Sequence, residues 1–151
     1  MSGDSFTAYD AKCAAVQALQ AEILPGNKVV LFQTLSEAGV RTVVVSFDGC
    51  GDSGQIESIV ARNADGVEFP LPLGDLRVRG VDFEMCAITE RTTTAGDLIE
   101  RMAYEFLEHT HGGWEDNEGA YGDFTFDVAE GSITLEYNER YIETHDHEHT
   151  F

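Results

Sequence analysis

Apolar side chains recur at helical spacing through the N-terminal part of the chain. A first amphipathic stripe runs to Pro25 and Gly26, a pair that stops helices because proline lacks the amide hydrogen and glycine is flexible. A second stripe begins after Asn27, a suitable N-cap, and ends at Gly39. The pattern therefore predicts that residues 1–39 form a pair of amphipathic helices.

The spacing changes to two residues after residue 40, which predicts β-strands. Val43, Val45 and Phe47 lie on one side of the first strand, and a second strand follows a glycine-rich loop, so a hairpin is expected. A middle strand is also expected over residues 76–88. Its alternation shifts by one residue at Gly80, which predicts a bulge there.

The clearest helix begins at Thr94, which together with Asp97 resembles a capping box. It ends at Gly112, because glycine readily adopts the backbone conformation that follows a helix. One side of this helix is apolar, and that side comprises Leu98, Ile99, Met102, Ala103, Phe106 and Leu107.

The C-terminal part contains the clearest strand pair, with its turn at Glu130 and Gly131. Because side chains alternate across a strand, Asp123, Asp127 and Glu136 point to solvent together. We predict an α+β fold with an antiparallel sheet of about four to five strands, built from two hairpins plus the middle strand, and helices packed mainly on one face.

The chain is expected to form a single domain, since 151 residues suffice for one core and no linker divides them. Within residues 1–151, the helical pair precedes an α+β core over residues 40–144 and a histidine-rich tail over residues 145–151. Hydrophobic residues make up 42% of the chain, which is enough apolar surface for a folded protein rather than a disordered acidic one.

Acidic residues outnumber basic ones by 28 to 9, which gives a formal net charge of -19. Residues 102–151 hold 13 Asp and Glu and one basic residue, Arg140. A field of this sign repels nucleic acid and anionic membrane surfaces and attracts cationic proteins. We therefore expect a basic protein partner, no direct binding of nucleic acid and no membrane association.

Other sequence features favour a cytoplasmic protein without a cofactor. The N-terminus has no leader-like pattern, no apolar run is long enough to cross a membrane, and the cysteines are three and widely spaced. The chain also has no Walker loop, dinucleotide-binding fingerprint or nucleophile elbow. We therefore predict no cofactor and no catalytic residue, and an enzyme is the less favoured reading.

The glycine-rich loop offers Asp48, Asp52, Ser53 and Glu57 as polar groups. Its Gly-Asp-Ser-Gly tetrapeptide matches the segment around the nucleophile of chymotrypsin-like proteases, but no histidine precedes the serine, the first being His109. The spacing also fails the EF-hand pattern. The loop is interpreted as a tight turn, and a role for its side chains as ligands or partner contacts stays open.

Five histidines are candidate metal ligands, because imidazole combined with carboxylate suits zinc, nickel or copper. They are His109, His111, His145, His147 and His149. The alternative function is therefore a metal-binding protein or a metal-dependent hydrolase that uses histidines and acids of the glycine-rich loop. The competing interpretation is a favourable helix-end position for His109 and incidental binding by the tail.

A second glycine-rich segment joins the long helix to the terminal hairpin. Trp114 and Tyr121 are either exposed anchors for a partner or, for Trp114, a lid over the core. Together with the acidic side chains around them they define the predicted partner-binding surface. That surface comprises Trp114, Glu115, Asp116, Glu118, Tyr121, Asp123, Asp127, Glu136 and Glu139.

Three segments resemble an uncharacterised family of small acidic bacterial proteins found on plasmids, phages and integrated elements. They are Phe47 to Glu57, Gly113 to Gly122, and Asn138 to Tyr141. The family has no established activity, so the resemblance implies only a mobile-element setting, in which small acidic proteins often mimic the phosphate backbone. The expected function is a non-enzymatic acidic interaction protein that mimics nucleic acid or inhibits a basic host or mobile-element protein.

Overall fold

A computed structural model describes residues 4–50, 53–114 and 119–151. These residues form helices α1 (Asp4–Glu37) and α2 (Ala95–His111) and strands β1 (Thr42–Cys50), β2 (Ser53–Arg62), β3 (Leu76–Asp82), β4 (Ala87–Thr93), β5 (Ala120–Asp127) and β6 (Ser132–Glu139). The predicted α+β class is confirmed. No helix in the described segments is both long and apolar enough to cross a membrane.

Four strands form an antiparallel sheet in the order β2-β1-β5-β6, and β3 and β4 form a separate two-stranded sheet. Both helices and the β3–β4 hairpin contribute buried side chains to one core on the same side of the larger sheet. At its centre the ring of Phe47 lies 5.7 Å from that of Phe124 and 5.5 Å from that of Trp114. The predicted packing of helices on one face is therefore observed.

The predicted helix after Thr94 and the predicted terminal hairpin both match the structure. The Asp97 amide donates to the Thr94 hydroxyl at 3.3 Å, which is the cap that the sequence indicates. The helix ends at Gly112, and the terminal hairpin turns between Asp127 and Ser132. These elements depend on local signals, which explains their agreement with the sequence.

The predicted pair of N-terminal helices is wrong, because α1 continues through Pro25. Tertiary packing on both sides of the proline outweighs its local cost, since Ile23 precedes it and Leu31 follows it in the buried face. Asn27 does not cap a helix. Its side chain accepts from the Arg79 amide at 2.9 Å and donates to the Arg79 carbonyl at 2.8 Å, so it ties α1 to β3.

The predicted middle strand is instead a hairpin, and its turn falls inside residues 76–88. The turn lacks glycine and proline, so the sequence gives no usual stop signal. Asp82 supplies one, because its carboxylate accepts from the Met85 amide at 2.9 Å, and Cys86 takes a positive φ of 49°. The apolar side chain of Met85 is 66% exposed, which explains why the alternation looked continuous.

The predicted bulge at Gly80 is absent from the regular β3–β4 register, and a bulge occurs instead between β1 and β2. Ser46 faces Ser58, but the next residue, Phe47, faces Ile56. Glu57 is therefore the extra residue of β2. The shift turns Ile56 toward the core side while Ser58 stays on the opposite side, so the bulge lets the partly buried Ile56 pack against the core.

Replacement of Asn27 by alanine is expected to lower the free energy of unfolding by about 1–3 kcal/mol. The change leaves the Arg79 amide and carbonyl without their side-chain partner, although the better helix propensity of alanine acts in the opposite direction. Denaturant unfolding measures the loss. Gln33→Ala on the exposed side of α1 is the matched control, and equal stability of both variants would contradict the tie.

Glu105→Gln is expected to stabilise the protein near neutral pH. Burial raises the pKa of Glu105, and Arg101, His109 and Arg91 act against that rise. A raised folded-state pKa means that the folded protein binds the proton more tightly, so stability falls as the pH increases from the ordinary carboxyl range through the raised value. Denaturant unfolding at acidic and neutral pH should show a gain for the glutamine variant that is confined to neutral pH. A gain of the same size at both pH values would point to another cause.

Candidate interaction face

No helix of the described residues covers one side of the four-stranded sheet, and we call this side the open face. It consists of the outward-facing side chains of β1, β2, β5 and β6. Helices and the smaller sheet bury the other side, whereas the residues of the open face are partly or fully exposed. Its members on β1, β5 and β6 are Thr42, Val44, Ser46, Asp48, Tyr121, Asp123, Thr125, Asp127, Ser132, Thr134, Glu136 and Asn138.

One row across the open face carries two carboxylates side by side. Ser46 on β1 faces Asp123 on β5, and Asp123 faces Glu136 on β6. The Ser46 hydroxyl donates to Asp123 at 2.6 Å, which fixes that carboxylate. Directly opposed side chains have Cβ atoms about 4.5–5.5 Å apart, and like charges at this spacing repel each other. Within the described residues neither carboxylate has an ion pair, so this row favours the approach of a cation.

The next row consists of Asp48, Tyr121 and Asn138, and the basic residue of the acidic C-terminal third reaches it from just beyond β6. Arg140 donates two parallel hydrogen bonds of 3.0 Å to the carboxylate of Asp48 and a third of 3.0 Å to the Gly49 carbonyl. Its guanidinium lies over the ring of Tyr121, 4.7 Å from the ring centre. Asp48 is therefore neutralised, and the open face divides into this compensated end and the uncompensated Asp123–Glu136 pair.

The structure separates the two aromatic candidates. Tyr121 is 45% exposed on the open face. Trp114 is only 6% exposed and packs edge-on against Phe47, so its interpretation as an exposed anchor is wrong and its interpretation as a lid over the core is right. The Trp114 ring buries more apolar surface against the core than it would in an exposed loop.

The acidic candidates fall into several places. Asp127 lies on the open face as predicted, two rows from Asp123 at the end of β5, where its carboxylate accepts from the Glu130 amide at 3.0 Å and shapes the turn. Glu139 faces Ala120, a core residue, so alternation puts it on the helix-covered side at the exposed end of β6. Asp123 and Glu136 are therefore the predicted acids that meet in one row. Glu115, Asp116 and Glu118 lie outside the described residues.

The candidate residues of the first glycine-rich loop do not form one group. Asp48 is held by Arg140, and Glu57 is the bulge residue, whose carboxylate accepts from Gln55 at 3.4 Å. Ser53 begins β2. Asp52 lies outside the described residues, and so does the side chain of Ser53. The loop therefore contributes its strand-end aspartate to the open face.

The histidines do not converge in the part of the chain that the structure describes. The ring of His111 stacks on Tyr137 with 3.6 Å between ring centres and 5° between planes, which gives it a packing role. In the exposed tail, Nε2 of His145 lies 3.6 Å from a carboxylate oxygen of Glu143. Searched over residues 4–50, 53–114 and 119–151, no three His, Cys, Asp or Glu side chains are grouped so as to hold a metal ion.

Neither Ser46 nor Arg140 is among the predicted members of this face. The sequence indicates the position of Ser46 through the alternation of β1, which places it on the side opposite Val45 and Phe47. Arg140 is the single base among the 13 acids of residues 102–151, so the sequence indicates that it pairs with a carboxylate but not with which one. Its partner Asp48 is 92 positions away, and pairing over that distance depends on the strand order.

Comparison with known proteins identifies one family. The model of a family of unknown function (DUF6878) matches residues 23–151. No curated protein and no solved structure matches the chain. The matched range contains the whole open face and the second half of α1.

Arg140→Lys is expected to lower the free energy of unfolding by about 0.5–1 kcal/mol, because lysine keeps the charge but cannot make the two parallel bonds to Asp48. Urea unfolding measures the difference. Arg62→Lys is the control, since Arg62 makes a single exposed contact of 3.3 Å with Glu68 and should lose almost nothing. Equal losses in the two variants would contradict a special role for the Arg140 fork.

Proposed function

We propose that this chain, which belongs to the family of unknown function DUF6878, is a non-enzymatic interaction protein that binds a basic protein partner through the open face. The observation that carries the proposal is the Asp123–Glu136 pair. Two carboxylates lie directly opposite each other on an uncovered sheet face and have no ion pair within the described residues.

The arrangement suits the binding of a lysine or arginine side chain. A cation placed between the two carboxylates relieves their mutual repulsion, so association gains more from this pair than from two isolated surface acids. Ser46 holds the Asp123 carboxylate in place, which reduces the ordering that a partner must impose. The exposed ring of Tyr121 adds apolar contact area beside the charges.

The net charge of -19 supports fast encounter with a cationic protein and disfavours contact with nucleic acid itself. A protein that binds nucleic acid presents lysines and arginines to phosphates, and carboxylates can occupy the same groups. Mimicry of nucleic acid, or inhibition of a basic host or mobile-element protein in the cytoplasm, is therefore the form of the proposal that the charge favours. Such binding weakens steeply as salt increases.

The proposal is tested with Glu136→Lys, which places a cation in the carboxylate pair. Immobilised protein is exposed to host lysate at low and high salt, and retained proteins are identified. Wild type is expected to retain a basic protein at low salt and release it at high salt, whereas Glu136→Lys loses it. The folded state of each variant is checked by circular dichroism and thermal unfolding.

The matched control is Glu100→Lys, which makes the same change in net charge on the exposed side of α2. It is expected to retain the partner nearly as wild type does. Equal loss in both variants would show that net charge, and not the open face, governs binding. Retention that is indifferent to salt and to Glu136 would overturn the proposed function.

A further inference from the structure

The outer edge of β6 carries backbone groups that no other strand pairs within the described residues, since β6 is the last strand of the sheet. The Arg140 amide donates to the Gly119 carbonyl at 2.9 Å, so it points toward the β5 side. Backbone groups of successive residues on a strand point to opposite edges, and the β5–β6 register is regular. The amides and carbonyls of Ile133 and Leu135 therefore point outward.

An apolar groove runs beside this edge on the helix-covered side of the sheet. It has a volume of about 310 Å³, and its wall includes Leu24 and Lys28 of α1, Phe106 and Thr110 of α2, and Phe124, Ile133 and Leu135 of the sheet. The side chains of Ile133 and Leu135 are only partly buried, so the helices leave them incompletely covered. An edge strand beside a helix-walled groove is a combination that extended peptides use for binding.

A strand added to β6 would present its two sides to two different surfaces. Its side chains alternate, so one set enters the groove beside Leu135 while the other set lies next to Glu136 on the open face. The first set must be apolar to match the groove. The second set must be basic to match Glu136 and its neighbour Asp123.

We propose that β6 binds an extended segment of alternating apolar and basic residues, which adds to the sheet as a fifth strand. The proposal rests on the proposed function and names the chemistry of the partner at the same face. Main-chain hydrogen bonds to Ile133 and Leu135 supply affinity, and the two side-chain sets supply selection. A second copy of this chain fits poorly, because its own β6 would bring Glu136 and Glu139 against the same charges.

The probe is a capped peptide of about eight residues in which valine alternates with lysine. Two control peptides have the same composition. In the first the valines and lysines form separate blocks, which keeps the charge and removes the alternation. The second keeps the order but carries N-methyl groups on alternate amides, which removes the donors for strand pairing. Affinities are measured with the full chain at low salt.

The alternating peptide is expected to bind at least about tenfold more tightly than either control, because each control loses main-chain bonds or groove contacts. Amide hydrogen exchange gives an independent readout. The Ile133 and Leu135 amides should become protected on binding, whereas those of Thr134 and Glu136, which point to β5, serve as internal controls that change little.

Thr110→Trp fills the groove from an exposed position of α2. It is expected to weaken binding of the alternating peptide by about tenfold or more and to leave binding of the control peptide with separate valine and lysine blocks unchanged. Glu108→Trp, also exposed on α2 but outside the groove wall, is the matched control. Both variants are checked for native folding by their amide spectra before binding is compared.

The outcomes separate this inference from the proposed function. Equal binding of all three peptides, with dependence on salt and Glu136, would overturn strand addition and leave the acidic face as the site. Failure of every peptide to bind would overturn strand addition, and the proposed function would then be judged by the lysate experiment alone. Peptide-independent self-association with protection of Ile133 and Leu135 would show that a second copy occupies the edge, which also overturns the inference.

Discussion

The alternation of side chains along the two central strands, β1 and β5, is the constraint on which the other features depend. Val43, Val45 and Phe47 on β1 and Phe124 and Phe126 on β5 are almost completely buried on the same side. Because a strand has only two sides, burial of this set forces the intervening side chains to solvent. The helices and the smaller sheet cover the apolar side, and the polar side is left facing solvent.

Asp123 and Glu136 make that surface negative with only a small loss of folding free energy. Asp123 and Glu136 repel each other, but they lie in a setting close to water, where such repulsion is worth only a small part of the folding free energy. Removal of an acid from water costs more, and the half-buried Glu105 shows the effect through its raised pKa. Among the described residues no acidic side chain is fully buried, so the fold leaves these carboxylates partly or fully exposed to water.

The sequence predicts those parts of the fold that depend on neighbouring residues. The cap at Thr94 and the terminal hairpin were identified because a hydroxyl, a glycine or a strict alternation settles them locally. The predictions at Pro25 and after Asp82 are wrong. Packing of α1 against β3 keeps the helix continuous through Pro25, and the bond from the Met85 amide to the Asp82 carboxylate forms the turn. The Asp123–Glu136 row was predictable from alternation, but the Arg140 fork was not, because it requires the strand order.

The strand order has a consequence for how the chain folds. β1 pairs with β2 through a short loop, but its other edge pairs with β5, whose partner residues lie about eighty positions later in sequence. During synthesis the first hairpin therefore emerges with one edge unpaired and the side chain of Phe47 lacking its partner Phe124. Pairing over such a distance is slow, and exposed strand edges invite aggregation. The long helix α1, which precedes β1 and supplies core residues such as Leu31 and Leu35, can shelter that apolar side until the C-terminal hairpin arrives.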